Sequence, residues 1–287
     1  MWLWCARLTW ALLPVSTGTA LSDALDGWST SPARVASVLL WAAWALGLVA
    51  LLAPRPWGLT TLRVVAPVAV LVTSLAAAHT SAAPAALAVS SSLVAAGFVL
   101  SAPVAQAAGN AVAYGDEVRF PLRVPLPLFL GPVPIAVAAI VAGVSAGPLL
   151  LADHHYIAGI AVTAVGIAIA FALTRSLHSL ARRWLVFVPA GLVVVDPLTL
   201  ADPVLVRREQ IVSVERASTG RAAADALDLR LGTPGGSVVL KLAQPQSFAR
   251  RRGRRDAELH DADVVLVSTV QAAALVRAAI ARRIAIA

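Results

Sequence analysis

Two groups of residues in this chain have types and spacings suited to chemistry. The first is Ala249-Arg250-Arg251-Arg252-Gly253-Arg254-Arg255, with five arginines in six residues. Guanidinium groups set so close repel one another, so the run reads as a solvated loop. Held near a membrane, it would attract anionic lipid headgroups at about 1 kcal/mol per cation. A loop that only aids solubility is the competing reading. Nucleic acid ranks last as a partner, because no aromatic side chains interleave these arginines to stack bases. The second group is Asp23, Asp26, His79, Asp153, His154 and His155. Carboxylate and imidazole together can hold a metal or move protons. Yet adjacent histidines on a short loop tend to point apart, and polar residues collect in wet loops without any ligand.

Other chemistry is sparse. No Walker loop, HExxH, GxSxG or CxxC occurs. The lone Cys5 excludes an intrachain disulfide and a cysteine-built metal site. Neither a cofactor nor a catalytic residue is implied, and the expectation is a non-enzymatic protein; the alternatives are a small membrane transporter or lipid-handling protein using a cavity between the helices, and a membrane enzyme with an external site at the histidines.

The elements that must position these residues follow from composition. Of 287 residues, 59% are hydrophobic and 13% charged, against about 25% charged in a soluble domain. The deficit is localised. Residues 1–180 hold seven Arg and five acids, whereas residues 181–287 hold sixteen basic and ten acidic residues. The expected division is therefore a transmembrane helical part over 1–180 and a cytosolic part over 181–287. One Lys against 22 Arg fits a GC-rich bacterial genome.

A spanning helix needs roughly 20 apolar residues, because every backbone amide must find its partner within the helix. Residues 35–53, 62–78, 85–105, 133–151 and 157–173 meet this requirement. Residues 3–21 are weaker, interrupted by Arg7 and Pro14. There Gly18-Thr19-Ala20 also resembles a signal-peptidase site. No carboxylate or histidine lies well inside a span, which argues against a proton-coupled carrier. Arginine marks alternate loops: Arg55 and Arg63, then Arg119 and Arg123, then Arg175, Arg182 and Arg183. The loops around Thr80 and over 153–156 have none, and only Arg34 breaks the pattern. The positive-inside rule then gives about six crossings of a bacterial plasma membrane, with both termini cytosolic. Trp28, Trp57 and Trp184 fall near the expected interfaces. Gly97, Ser101, Ala105 and Gly109 recur every four residues, and Gly143 and Gly147 form a GxxxG pair, both suited to close helix packing. His178 and His260 read as surface residues. Tyr114-Gly115-Asp116-Glu117, ahead of Arg119 and Arg123, reads as a solvated loop, with ion pairing or docking of the C-terminal domain as the alternatives.

Past Arg182 the period changes. Strand-like runs occupy 184–188, 192–196, 204–206, 211–214, 227–231, 237–242 and 264–267, and a helix follows over 269–284. About seven strands capped by one C-terminal helix resembles a pleckstrin-homology-like domain, of the kind bacterial membrane proteins carry after their helices. The resemblance implies a partly open barrel plugged by its helix, suited to binding or scaffolding. Members that bind phosphoinositides place cations in the first hairpin turn. Here that turn, Pro189-Ala190-Gly191, is uncharged, and the cations lie between the last two strands. Membrane lipids, or another membrane protein, are the expected partners.

Overall fold

The computed structural model describes residues 1–217, 226–253 and 256–284. The chain forms two compact units, Met1–Ala108 with Val133–His178, and Gly109–Pro132 with Ser179–Ala287.

The first unit is helical. Its helices are α1 (Trp2–Ala11), α2 (Leu13–Leu25), α3 (Thr30–Leu52), α4 (Pro56–Ala76), α5 (Ala82–Val99), most of α6 (Ala102–Asn110), and, beyond the short α7 (Leu126–Leu130), α8 (Pro132–Ala152) and α9 (Tyr156–Ala181). Among the described residues, five stretches are long and apolar enough to cross a membrane: Thr30–Leu52, Pro56–His79, Ala82–Val99, Leu126–Ala152 and Tyr156–Ala181. The 23 residues of α3 extend about 35 Å at 1.5 Å per residue, enough for a hydrocarbon core of about 30 Å. Leu46, Val49, Ile160 and Phe171 stand outward, as expected where lipid is the solvent.

The expected span over 85–105 divides in two. Helix α5 stops at Val99, and α6 starts at Ala102. Pro103 has no N–H to offer the Val99 carbonyl, so the helix cannot run through. Pro14 acts similarly between α1 and α2, which meet at Leu12. It leaves the Trp10 carbonyl without its donor four residues on. The Trp44 indole N–H supplies that donor at 3.0 Å, and the Trp10 indole donates to the Trp44 carbonyl at 2.9 Å. Gly47 makes room for this clasp, since a Cβ there would lie 2.4 Å from the Trp10 ring. Arg7 donates to the Leu51 carbonyl at 3.0 Å, serving one of the orphan acceptors at the end of α3.

The second unit holds two sheets. In the first, β1 (Val118–Pro121), β2 (Trp184–Val188), β3 (Gly191–Val195) and β4 (Val204–Arg207) pair antiparallel in that order. In the second, β5 (Ile211–Arg216), β7 (Ser237–Arg251), β8 (Ala257–Ser268) and the short β6 (Leu227–Asp228) lie in the order β5-β7-β8-β6, with β6 parallel to β8. One core, including Phe120, Phe187, Leu192, Val214, Leu240, Phe248 and Val265, runs between the sheets. Helix α10 (Ala272–Ala281) closes it with Leu275 and Ala279.

Strand β1 comes from the segment expected to be a solvated loop. Asn110 fixes it: its side chain accepts from Arg119 N at 2.8 Å and donates to Arg119 O at 3.3 Å.

Several elements differ from expectation. The strand expected over 227–231 ends at Asp228, and Leu231 takes a φ of 53° at the turn. Strands β7 and β8 far exceed the expected 237–242 and 264–267, with a bulge near Pro245 absorbing the missing N–H. Helix α10 is shorter than 269–284. Trp184 is not an interfacial anchor. It begins β2, 4% exposed, with its ring against Gly109.

Candidate functional site

The arginine run lies at the end of the β7–β8 hairpin. Arg250 and Arg251 are strand residues, paired with Glu258 and Ala257. Arg252 and Gly253 enter the turn, where Arg252 N donates to Asp256 O at 3.0 Å. Arg254 and Arg255 lie outside the described residues. The expected solvated loop is thus only the turn itself. Backbone pairing on both edges explains the extra length. On the edge away from β8, Ala201 N donates to Ala249 O and Arg251 N donates to Thr199 O, both at 2.8 Å. Phe248 and Leu200 are buried beneath, so the arm is packed as well as hydrogen-bonded.

Arg250, Arg251 and Arg252 are all exposed. Arg251 donates through Nε to Leu200 O at 3.0 Å, which fixes its stem. Arg252 pairs with Glu258 at 2.6 Å in open solvent, a contact worth under about 1 kcal/mol. The Arg230 guanidinium beside Asp228 holds that carboxyl below its ordinary range, with help from Arg250, and Asp228 raises Arg230 in return. Five Arg less Asp256 and Glu258 leave +3 over residues 250–258. Asp256 in the turn and Glu258 on β8 thus offset two of the five positive charges. Leu259 stands 74% exposed on this arm, paired with Ala249.

The histidines and aspartates stay dispersed. Thr80 donates to Asp23, and His79 is exposed beside that contact. His154 Nδ1 lies 2.8 Å from the Tyr156 hydroxyl, and His155 Nδ1 lies 2.9 Å from the Asp153 carbonyl. Among the described residues, no group of three or more His, Cys, Asp and Glu comes together to hold a metal. His178 is half-buried, with Nδ1 2.9 Å from Thr60 Oγ1, while His260 is exposed as expected.

The small-residue pattern divides. Gly97 faces open space, Ala105 is buried on α6, and Gly109 packs on Trp184. Since α5 ends before Ser101, the four do not share one helix face. The pair Gly143 and Gly147 lies where α8 meets α9. A Cβ on Gly143 would come 2.6 Å from the Gly166 carbonyl, and Gly147 abuts Thr163. Backbones this close need small residues on both helices.

Near β1, Glu117 pairs with Arg119 at 3.0 Å, which lowers the Glu117 pKa. Sequence reasoning missed the pair that anchors β2. Arg183 binds Asp196 through two contacts of 2.7 Å, with side chains 2% and 0% exposed. Arg183 also donates to the Arg123 carbonyl at 2.7 Å. The one available signal was an Arg and an Asp flanking the open end of a two-strand hairpin, one residue outside each strand. No family model, curated protein or solved structure matches this chain.

Proposed function

We propose that this chain is a membrane-anchored interaction protein. Its two-sheet unit docks on anionic phospholipid headgroups through the arginine turn of the β7–β8 hairpin. The observation that carries this reading is the arm itself: three exposed arginines and an exposed Leu259 on a strand pair held at both edges. The unit is pleckstrin-homology-like in type, with two sheets closed by a C-terminal helix. It departs from the phosphoinositide mode because its first hairpin turn is uncharged. In this reading the protein is non-catalytic and needs no cofactor.

The membrane part has six crossings, α1 and α2 together forming the first. Three contacts support this count. Arg7 meets the end of α3, Trp10 meets its middle, and Asp23 meets Thr80 beyond α4. A helix that touches both ends of its neighbours runs the same depth they do. The arginine-bearing loops support the reading that both termini, and the sheet unit, lie on the cytosolic side of a bacterial plasma membrane.

The test is hydrogen exchange of the full chain in lipid nanodiscs. Residues 246–262 exchange more slowly in discs containing anionic lipid than in zwitterionic ones. The difference disappears near 1 M salt, where the Debye length falls to about 3 Å. Replacing Arg250, Arg252, Arg254 and Arg255 with Gln abolishes it. Equal exchange in both lipids would leave a protein surface as the partner of this arm and overturn the lipid reading.

A further inference from the structure

Within the helical unit lies a cavity of about 480 Å³, lined by residues of α1 to α4. It falls in the 300–1,000 Å³ range of ligand sites. Its origin is the break at Leu12 and Pro14. Both halves pack on α5; before the break α1 also packs on α3, whereas beyond it α2 packs on α4 instead. The space between α2 and α3 stays open. The Trp10–Trp44 clasp stands at one end, and Asp26, the last residue before the α2–α3 turn, at the other.

The polar lining has little to offer a polar ligand. Thr17 donates to Leu13 O at 2.8 Å, Ser37 to Ala33 O at 2.9 Å and Thr73 to Ala69 O at 2.9 Å. Each of these three hydroxyls is already spent on its own helix, and Ser22, the fourth in the lining, is exposed one turn before Asp26. The remaining walls are mostly apolar, Leu21, Leu40 and Val68 among them, so water entering the space finds few partners. Helices α3 and α4 are both of membrane-spanning length, so hydrocarbon chains surround this depth.

We infer that the cavity is a binding site for one acyl chain of a membrane phospholipid, with an amine-bearing headgroup beside Asp26. Hydrophobic burial does not drive entry, because the chain passes from one hydrocarbon medium to another. What favours it is dispersion contact in space otherwise unfilled, together with the density of chains in the bilayer. The carboxylate at the mouth attracts an ammonium headgroup and repels an anionic one, a preference opposite to that of the arginine turn.

The experiment uses the full chain in nanodiscs doped with phospholipid carrying a photoactivatable diazirine on its acyl chain. Cross-links are mapped by mass spectrometry. Labelling is expected at Leu21, Leu40 and Val68, and with phosphatidylethanolamine it exceeds that with phosphatidylglycerol. Gly18 lines the cavity, and a Cβ there meets nothing within 4 Å. Gly18→Phe therefore fills the space while keeping the fold, shown by an unchanged or raised melting temperature. It reduces cavity labelling about tenfold or more, the equivalent of about 1.4 kcal/mol. Labelling at outward-facing Phe171 is unchanged and serves as the control for surrounding lipid. Should Gly18→Phe unfold the chain, Ala43→Leu on the opposite wall makes the same test. Asp26→Asn removes the headgroup preference. Cavity labelling no higher than background, or undiminished in the filled variants, would overturn the assignment.

Discussion

The helical unit and the two-sheet unit both shut polar groups away from water, but they satisfy them differently. In the helical unit the buried hydroxyls donate back along their own helix, as Thr17 does to Leu13 and Thr73 to Ala69, and reach a neighbouring helix only through neutral partners, Thr73 to Ser92 at 2.8 Å and Thr60 to His178 at 2.9 Å. Where proline removes a donor, a neighbouring indole replaces it, as Trp44 does for Trp10. In the sheet unit the buried polar contact is ionic and joins segments distant in sequence: Arg183 binds Asp196 and the Arg123 carbonyl together. The difference follows from the solvent. A helix in lipid meets its own backbone demand and packs through small contacts. A sheet domain in water draws on a single apolar core and tolerates a buried charge only when it is fully paired.

The largest expected effect comes from removing the part of the sheet unit that lies far upstream. Residues 179–287 without 109–132 lose Phe120 and Leu122 from the core and leave β2 with a bare edge. Such a fragment is expected to show no cooperative unfolding by near-ultraviolet circular dichroism. Phe120→Ala in the full chain costs about 3–5 kcal/mol. A fragment that melts cooperatively would mean β1 is dispensable.

Next is the buried ion pair. Asp196→Asn or Arg183→Met strands one charge and costs about 3–5 kcal/mol in denaturant unfolding. Replacing both with apolar residues recovers most of that loss, because no charge is left uncompensated. If the double variant were no better than the singles, the contact to Arg123 would be the dominant one.

In the helical unit the effects are smaller. Trp44→Phe leaves the Trp10 carbonyl unserved and costs about 0.6–2 kcal/mol in detergent, on the scale of interhelical hydrogen bonds. Pro14→Ala returns a backbone donor to that carbonyl. In the Pro14→Ala background, Trp44→Phe is expected to cost little, and a double-mutant cycle reads the difference as coupling. Additive losses would mean the indole matters only for packing.

What could be read from the sequence follows the same division. Hydropathy located the spans because lipid demands a long local run, visible without knowing any neighbour. Strands β2 to β5 showed in their β-branched residues and turns. Strand β1 did not, because Val118-Arg119-Phe120-Pro121 is short and charged, and its partner lies more than sixty residues on. The outer halves of β7 and β8 were hidden by Pro245 and the arginines, residues that usually end a strand. The arm is held there by backbone bonds to 199–201, and composition does not report those. For the arginine turn, the cations were plain in the sequence. The register that sets Glu258 opposite Arg250 and within reach of Arg252, and so lowers the net charge, was not.

The smallest expected effect contrasts two ion pairs within the sheet unit. Asp228 accepts from Arg230 at 2.8 and 2.9 Å, but its side chain is 41% exposed. The pairing lowers its folded pKa below the ordinary carboxylate value. A lowered folded value means the contribution is present above the unfolded pKa, near 4, and disappears as pH falls through the folded one. Solvent screening limits that contribution to about 1 kcal/mol or less. Asp228→Asn is thus expected to cost at most this much at pH 7 and to flatten part of the stability slope below about pH 4. Urea unfolding of the full chain at the two pH values measures it. An unchanged acid slope in Asp228→Asn would show that exposed pairs add nothing to this unit. Its pH sensitivity would then have to come from other carboxylates, among them Glu117 and Glu215, whose pKa values are also lowered.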